Sequence, residues 1–151
     1  MNYCVGFIFN EDLTKVLLVK KNRGPECVKN RLNGIGGKIE KDESGDEAII
    51  RECMEETGLK INRWNYFCEL KCNEGIIYLY YVATGDIFNY KQLEDEKIGI
   101  YSLDCNNEYD SIVNDFYKNY LVVANINWLI PMALNHYRKL DRAESFSIKE
   151  N

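Results

Sequence analysis

Three glutamates in the middle of the chain, Glu52, Glu55 and Glu56, have the spacing of neighbours on one face of a helix. Residues three and four positions apart on a helix lie close together, and like charges at that distance disfavour the helix. A hard divalent cation such as Mg²⁺ neutralises such a group, because it takes oxygen ligands and often holds substrate phosphates as well. The trio therefore predicts a metal site that handles a polyphosphate. An isolated acidic trio would instead be typical of a solvated helix face.

The residues around the trio favour the metal site. The segment Gly37–Leu59 reads GKIEKDESGDEAIIRECMEETGL, and it resembles the signature of the Nudix hydrolase family. Each fixed position of that signature is matched except Cys53, where the family usually has an aliphatic residue. A buried free cysteine behaves as a small hydrophobe, so the departure is mild. In the family these positions hold Mg²⁺ or Mn²⁺, often with a carbonyl from the glycine run. The resemblance thus implies as metal ligands Glu52, Glu55, Glu56 and the carbonyls of Gly36 or Gly37.

Three further motif residues have structural roles in the family. Glu43 and Arg51 resemble an ion pair that pins the loop to the helix, although Arg51 is alternatively a contact for substrate phosphate. Gly58 is placed for the left-handed residue that follows a helix end. Removing one partner of a buried ion pair costs about 3–5 kcal/mol, so Arg51→Ala is expected to report on folding as much as on catalysis.

A general base and a phosphate contact are expected outside the helix. Family members often take a base from an acidic residue in the loop before a late strand, and Glu96 matches that position; the alternative is a merely charged loop. Lys38 follows the glycines directly. It is either a point charge for a phosphate oxygen or an ordinary surface lysine.

The base-recognition residues are suggested by branch-specific patterns. The run Asn33–Lys38, NGIGGK, resembles that of MutT-like 8-oxo-dGTP diphosphatases, whereas ADP-ribose enzymes more often have Leu-Pro-x-Gly-Gly. Asn33 would then touch the sugar or base, since an amide both donates and accepts; turn formation before the glycine is the alternative. Asn125 is a second base reader or a helix N-cap. Tyr78 and Tyr80 share a strand face and either stack a base or pack in the core.

The elements that must position these residues are predicted from patterning. A capping box, Ser44-x-x-Glu47, starts a helix that ends before Gly58. A second helix is predicted at Asn127–Leu140, where Pro131 implies either a start near Asn127 or a kink. The helix after Ser44 is expected to bury Ile49, Ile50, Cys53 and Met54. Strands are predicted at Tyr3–Phe9, Lys15–Val19, Leu32–Ile39, Trp64–Lys71, Ile76–Thr84 and Ile98–Leu103. Mixed strands with two helices predict an α+β fold, and the family resemblance implies a Nudix-like α/β/α sandwich with a mixed β-sheet.

Length and composition limit the class of protein. The 151 residues fit a single domain, predicted at 1–140 and followed by a polar, frayed tail at 141–151. A net charge of −5 argues against binding a nucleic acid polymer. Six scattered cysteines and one histidine disfavour a zinc site and suggest reduced thiols in a cytoplasmic protein. No apolar run has the length of a membrane span.

The expected function is Mg²⁺-dependent hydrolysis of a nucleoside triphosphate, such as the oxidised purine nucleotide 8-oxo-dGTP, to the monophosphate and pyrophosphate. Mn²⁺ is an alternative metal. Hydrolysis of ADP-ribose or another nucleoside diphosphate conjugate is the alternative reaction, and a non-catalytic nucleotide sensor is the non-enzyme alternative. The expected partner is the nucleotide substrate, and the protein is expected to be a monomer or a homodimer.

Overall fold

A computed structural model describes residues 1–103 and 122–138, and the backbone of 146–149. These residues form a seven-stranded mixed sheet with one helix on each face, which confirms the predicted α+β sandwich. The strands are β1 Tyr3–Phe9, β2 Lys15–Lys20, β3 Leu32–Asn33, β4 Asn65–Cys72, β5 Gly75–Ala83, β6 Lys97–Ser102 and β7 Phe146–Lys149. The helices are α1 Gly45–Thr57 and α2 Ile126–Arg138, and a 3₁₀ turn spans Gly85–Asn89.

The strand order is β3-β2-β1-β5-β4-β7, and β6 pairs with β2. β1 is parallel to β5, and β4 is parallel to β7, whereas the remaining pairs are antiparallel. β1 and β2 form the predicted hairpin. Only Ile8 and Phe9 of β1 pair with β2, so the rest of that β1 edge is free for the glycine run, which bridges to it at Ile35 and Lys38.

Alternation along the central strands divides the core between two faces. In β1, Phe7 and Phe9 lie in the cluster that packs against α2, whereas Ile8 lies in a cluster beneath α1. Side chains of a strand point alternately to opposite faces, so an apolar residue at every position is buried only when both faces are covered. The two helices cover those faces, and α1 is thereby fixed against the centre of the sheet.

Local signals define α1 at both ends. The Ser44 side chain accepts a hydrogen bond from the Glu47 amide, and the Glu47 carboxylate accepts one from the Ser44 amide, which is the predicted capping box. Gly58 ends the helix at φ 70°, and its amide donates to the Met54 carbonyl. The glutamates are therefore held on a helix whose register is fixed at its start and at its end.

The buried stripe of α1 differs from the prediction. Ile49 and Cys53 are fully buried, but Ile50 is only partly covered and Met54 is 40% exposed. The stripe runs instead through Ala48, Ile49, Cys53, Glu56 and Thr57. Glu56 therefore lies at the boundary between the core and the acidic face, which the apolar pattern alone did not indicate.

Two other segments also differ from the predictions. The run Leu32–Ile39 is a strand only at Leu32–Asn33, because the glycines then follow β1 through isolated bridges. The tail expected to fray contains β7, Phe146–Lys149, which pairs with β4. The second helix, predicted at Asn127–Leu140, begins at Ile126 and is described to Arg138, with Pro131 in its interior. Residues 106–120, to which the sequence assigned no element, lie outside the described residues.

Candidate active site

The glycine run brings backbone groups to the buried end of α1. Gly36 has φ 140°, a conformation that side chains other than glycine rarely adopt, and an added Cβ would collide with the Cys4 carbonyl. In this position the Gly36 amide donates a hydrogen bond of 3.1 Å to Glu56 Oε2. The Gly37 carbonyl accepts from the Cys4 amide at 2.9 Å, so it is already used by β1. The Gly36 carbonyl accepts instead from Lys21 at 3.0 Å, beside Glu56.

Arg51 organises the outer part of the acidic face. Its guanidinium donates to both oxygens of Glu43, at 2.8 and 3.0 Å, and to the Lys38 carbonyl at 3.1 Å. It also contacts Glu52 at 2.8 Å and Glu55 at 3.0 Å. This geometry matches the ion pair that pins the loop to the helix. The Glu43 carboxylate beside it raises the pKa of Arg51, and that contact lowers the pKa of Glu43.

Lys21 organises the inner part of the acidic face. Its ammonium group forms a close ion pair with Glu56 Oε1, donates to the Gly36 carbonyl at 3.0 Å, and lies 3.3 Å from Glu96 Oε2. The other oxygen of Glu96 accepts from the Asn22 amide at 2.9 Å. The structure therefore brings Glu96, predicted as a base from its position before a late strand, to the same point as Glu56 and Gly36.

Burial controls the electrostatics at this point. The Glu56 side chain is 7% exposed, and burial raises the pKa of Glu56 to about 7, against the opposing charge of Lys21. Burial also raises the pKa of Glu52, although Arg51 opposes that shift. Burial lowers the pKa of Lys21, but the carboxylates of Glu56 and Glu96 outweigh it and the net shift is upward. The charge states of Glu52 and Glu56 thus depend on a balance between burial and a nearby positive charge.

The donor chemistry fits a hard divalent cation. Carboxylates and a carbonyl supply oxygen ligands, and the Glu52 carboxylate approaches Gly37 closely, with Oε1 2.6 Å from where a Cβ of Gly37 would be. Within residues 1–103 and 122–138, no three acidic, histidine or cysteine side chains converge as a cation-binding group. The contacts give the reason, since Arg51 holds Glu52 and Glu55 while Lys21 holds Glu56. To hold a metal together, the side chains must turn away from these two cations.

Two of the residues predicted to bind substrate, Asn33 and Asn125, lie at the end of β3 and just before α2. Asn33 ends β3, and its side-chain oxygen accepts from the Gly34 amide at 2.8 Å, as expected for turn formation. Leu32 bridges to Val122, so the segment leading to α2 lies beside β3. The Asn125 carbonyl accepts from the Leu129 amide at the start of α2. The bridge therefore places the segment that leads to Asn125 next to β3 at Val122.

The other predicted substrate contacts lie elsewhere. Lys38 is exposed at the surface beside Arg51, which its carbonyl contacts. Tyr80 is 2% exposed beneath α1, where its hydroxyl would collide with a Cβ at Gly45. Tyr78 is partly buried beside Tyr66, with ring centroids 6.5 Å apart. Of the two alternatives for these tyrosines, stacking on a base or packing in the core, Tyr80 packs in the core, because α1 covers its ring.

Lys21 is the site residue that the sequence did not indicate. It follows the apolar strand β2, where a lysine usually marks the return of the chain to solvent. Its proximity to Glu96 depends on the pairing of β2 with β6, in which Lys20 is opposite Lys97. Sequence spacing carries no information on that pairing.

Cys53, the departure from the family signature, lies on the buried face of α1 and packs among Ile8, Leu17 and other apolar residues. Its sulfur lies 3.6 Å from the Thr57 hydroxyl and donates to the Leu59 carbonyl. It therefore packs as the small hydrophobe that the sequence predicted. The described cysteines, including Cys53, are free thiols.

A mixed sheet between two helices, with a glycine run leading into an acidic helix, defines the class of MutT-like Nudix sandwiches. The family model of the NUDIX domain matches residues 3–108, well over half of the chain. The chain belongs to the Nudix family of pyrophosphohydrolases, which act on nucleoside diphosphate-linked compounds and generally use a divalent metal ion.

Solved structures share this fold at low sequence identity. A MutT protein from Methanosarcina mazei Go1 is 17% identical, with a TM-score of 0.64 over 92% of this chain and 96% of that one. The NUDIX domain of Shewanella oneidensis NrtR, complexed with ADP ribose, is 18% identical, with a TM-score of 0.65 over 91% and 88%. A MutT/nudix family protein from Enterococcus faecalis is 20% identical, with a TM-score of 0.57 over 67% of this chain. The chain spans 43% of the Enterococcus protein's length.

None of the helices in the described part of the chain is long and apolar enough to cross a membrane.

Proposed function

We propose that the protein is a Mg²⁺-dependent nucleoside triphosphate pyrophosphohydrolase that releases the monophosphate and pyrophosphate, with an oxidised purine deoxynucleotide such as 8-oxo-dGTP as the substrate. One observation carries the proposal. Oxygens of Glu56, Glu96 and Gly36, from three separate segments, gather at a single point at the buried end of the acidic helix. An oxygen set of this kind is the chemistry that a hard cation and its phosphate ligand require.

The proposed metal ligands are the carboxylates of α1 and the Gly36 carbonyl. Bound there, Mg²⁺ would neutralise charge on the reacting phosphate and lower the pKa of a coordinated water. Arg51 is a positioning residue, because its contacts hold Glu43 and the Lys38 carbonyl and so keep the loop against the helix. Gly37 contributes by the close approach of Glu52 and not by its carbonyl.

Glu96 is the proposed general base. The Asn22 amide fixes one of its oxygens, and its side chain is 13% exposed beside Glu56. A carboxylate held in this way accepts a proton from the attacking water and orients it. Since phosphoryl transfer requires mainly positioning and charge stabilisation, fixed geometry matters more than a strongly basic group.

The remaining proposed contacts bind the substrate. Lys38, exposed next to the glycine run, supplies a charge for a phosphate oxygen. Asn33, at the end of β3, and Asn125, just before α2, are proposed to read the sugar or base. The Asn33 side chain already accepts from the Gly34 amide, so its NH₂ group is the part that remains to donate to a base oxygen.

Product analysis over a nucleotide panel tests the proposal. The purified protein is incubated with Mg²⁺ or Mn²⁺ and 8-oxo-dGTP, dGTP or ADP-ribose, and the products are followed by ³¹P NMR. The proposed reaction gives pyrophosphate and a monophosphate from the triphosphates, with 8-oxo-dGTP turned over faster than dGTP. Turnover of ADP-ribose alone would overturn the proposed substrate class in favour of the conjugate reaction. Binding without turnover would indicate a nucleotide sensor.

A further inference from the structure

The Lys21 ammonium group is surrounded by oxygens from three parts of the chain. Glu56 comes from α1, Gly36 from the glycine run and Glu96 from the loop before β6. The Lys21 side chain is 12% exposed, and those of Glu56 and Glu96 are 7% and 13% exposed. An ammonium group has three donors, so these three oxygens satisfy it fully.

We propose that Lys21 competes with the divalent cation for the Glu56 carboxylate and the Gly36 carbonyl, so that the cation must displace Lys21 in order to bind. The inference rests on the proposed function, because it takes these oxygens as part of the metal site. It adds a role for a residue outside the motif, as an internal counter-ion that sets the affinity of the site.

Electrostatics gives the reason for competition. A divalent ion bound to the same oxygens would lie within a few ångströms of the ammonium group, where two positive charges repel strongly in a buried environment. The oxygens also cannot direct the same lone pairs to both cations. Lys21 therefore weakens metal binding, while it stabilises a cluster of buried carboxylates that would otherwise repel one another.

Lys20 provides a matched control. It is the neighbouring residue, carries the same charge, and is exposed at the end of β2, opposite Leu32 in β3 and Lys97 in β6. Removing either charge changes the net charge of the protein equally. Of these two lysines, Lys21 is the one whose ammonium group contacts oxygens of the proposed site. A difference in metal affinity between the two variants therefore isolates the local effect.

The test is Mn²⁺ binding without nucleotide, measured from the electron paramagnetic resonance signal of the free ion. Lys21→Met is expected to bind Mn²⁺ about tenfold more tightly than the wild type, because a nearby positive charge is gone. Lys20→Met is expected to stay within about twofold of the wild type, since exposed charges are screened by salt. An affinity of Lys21→Met no higher than that of Lys20→Met would overturn the competition and leave the proposed function intact. Failure of the wild type to bind Mn²⁺ would instead remove the metal assignment itself, and the competition with it.

A measurement on the wild type covers the case in which Lys21→Met does not fold. Acetylation of lysines is followed by mass spectrometry with and without saturating Mg²⁺, and Lys20 serves as the internal reference. Displacement predicts that labelling of Lys21 rises several-fold with Mg²⁺ while labelling of Lys20 is unchanged. Equal labelling of Lys21 in both conditions, with Mg²⁺ bound, would contradict displacement.

Discussion

Two cationic side chains divide the acidic residues of the site between them. Arg51 contacts Glu43, Glu52 and Glu55, and Lys21 contacts Glu56 and Glu96. Each pairing reduces repulsion along the helix face, so α1 is stable even though its carboxylates are crowded. Arg51 also contacts the loop through the Lys38 carbonyl, whereas the Lys21 ammonium group contacts, among the described residues, Glu56, Glu96 and the Gly36 carbonyl.

Glu96→Gln tests the proposed base. With Mg²⁺ saturating, the variant is expected to lose about 10²–10⁴-fold in kcat, because an amide cannot accept the proton from water. The shape of its pH–rate profile should also change, because the carboxylate proposed to take the proton from water is gone. Steady-state kinetics over a range of pH values measures both effects.

Glu94→Gln is the matched control, because Glu94 is an exposed carboxylate in the same loop. It is expected to keep the wild-type kcat and the wild-type pH profile. A Glu96→Gln profile that overlays that of the wild type would exclude Glu96 as the base.

The three glutamates of α1 could each be predicted from the sequence, because the motif fixes their spacing along a single helix. Glu96 was predictable only through the family resemblance, and its proximity to Glu56 became evident only in the fold. Lys21 was not predictable, because its partners come from three segments whose approach depends on strand pairing. The sequence left two alternatives for Tyr80, because alternation shows which face a residue occupies but not which helix covers it.

At the scale of elements, α1 and the glycine run act as one unit. The run pairs with β1, and its Gly36 amide and carbonyl both reach the buried end of α1. The capping box fixes where the helix begins, and therefore which residues face the run. A shift of the helix start or of the glycine run would move the carboxylates away from the Gly36 carbonyl.

Ser44→Ala tests the capping box. Loss of the side-chain acceptor for the Glu47 amide is expected to lower the free energy of unfolding by about 1 kcal/mol. Urea denaturation measures this change. Ser44→Asp, which restores a good capping group, should remain within about 0.5 kcal/mol of the wild type. Equal stability of Ser44→Ala and the wild type would show that the cap does not hold the helix.

Most element positions could be predicted from local chemistry, and the exceptions share a cause. The ends of α1, the β1–β2 hairpin and the strands near Asn65 and Gly75 follow from caps, turns and apolar runs. The glycine run was predicted as a strand to Ile39, yet most of it makes only isolated bridges because it accommodates the helix end. β7 was not predicted, because it lies in a polar segment and forms only through its long-range pairing with β4.

At the scale of the whole molecule, the central sheet buries a core on both faces, and this determines which thiols react. Cys4, Cys53 and Cys68 are fully buried, whereas Cys27 is exposed in the loop after β2. Burial raises the pKa of Cys4 and of Cys53 to about 11, and that of Cys68 to about 12. Both the access of a reagent and the fraction of thiolate are therefore low for the buried thiols.

The expected outcome at pH 8 is rapid alkylation of Cys27 and protection of the three buried cysteines. With a pKa of about 11, only about one thiol in a thousand is ionised at that pH, and raising the pH through 11 increases the fraction. Iodoacetamide labelling followed by peptide mass spectrometry measures each site, and the same reaction in urea gives the unfolded reference. Labelling of Cys53 as fast as Cys27 in the folded protein would contradict the described core.

The central claim is that the carboxylates of α1 hold a divalent ion that binds a polyphosphate. The most direct test is turnover of a nucleoside triphosphate in saturating Mg²⁺ by Glu56→Gln and Glu55→Gln, with Glu40→Gln as an exposed control and circular dichroism to verify folding. The account predicts folded Glu55 and Glu56 variants that lose at least about 10³-fold in kcat, the scale of a lost transition-state contact, and a control with wild-type activity. Wild-type turnover by both the Glu55 and the Glu56 variants would contradict it.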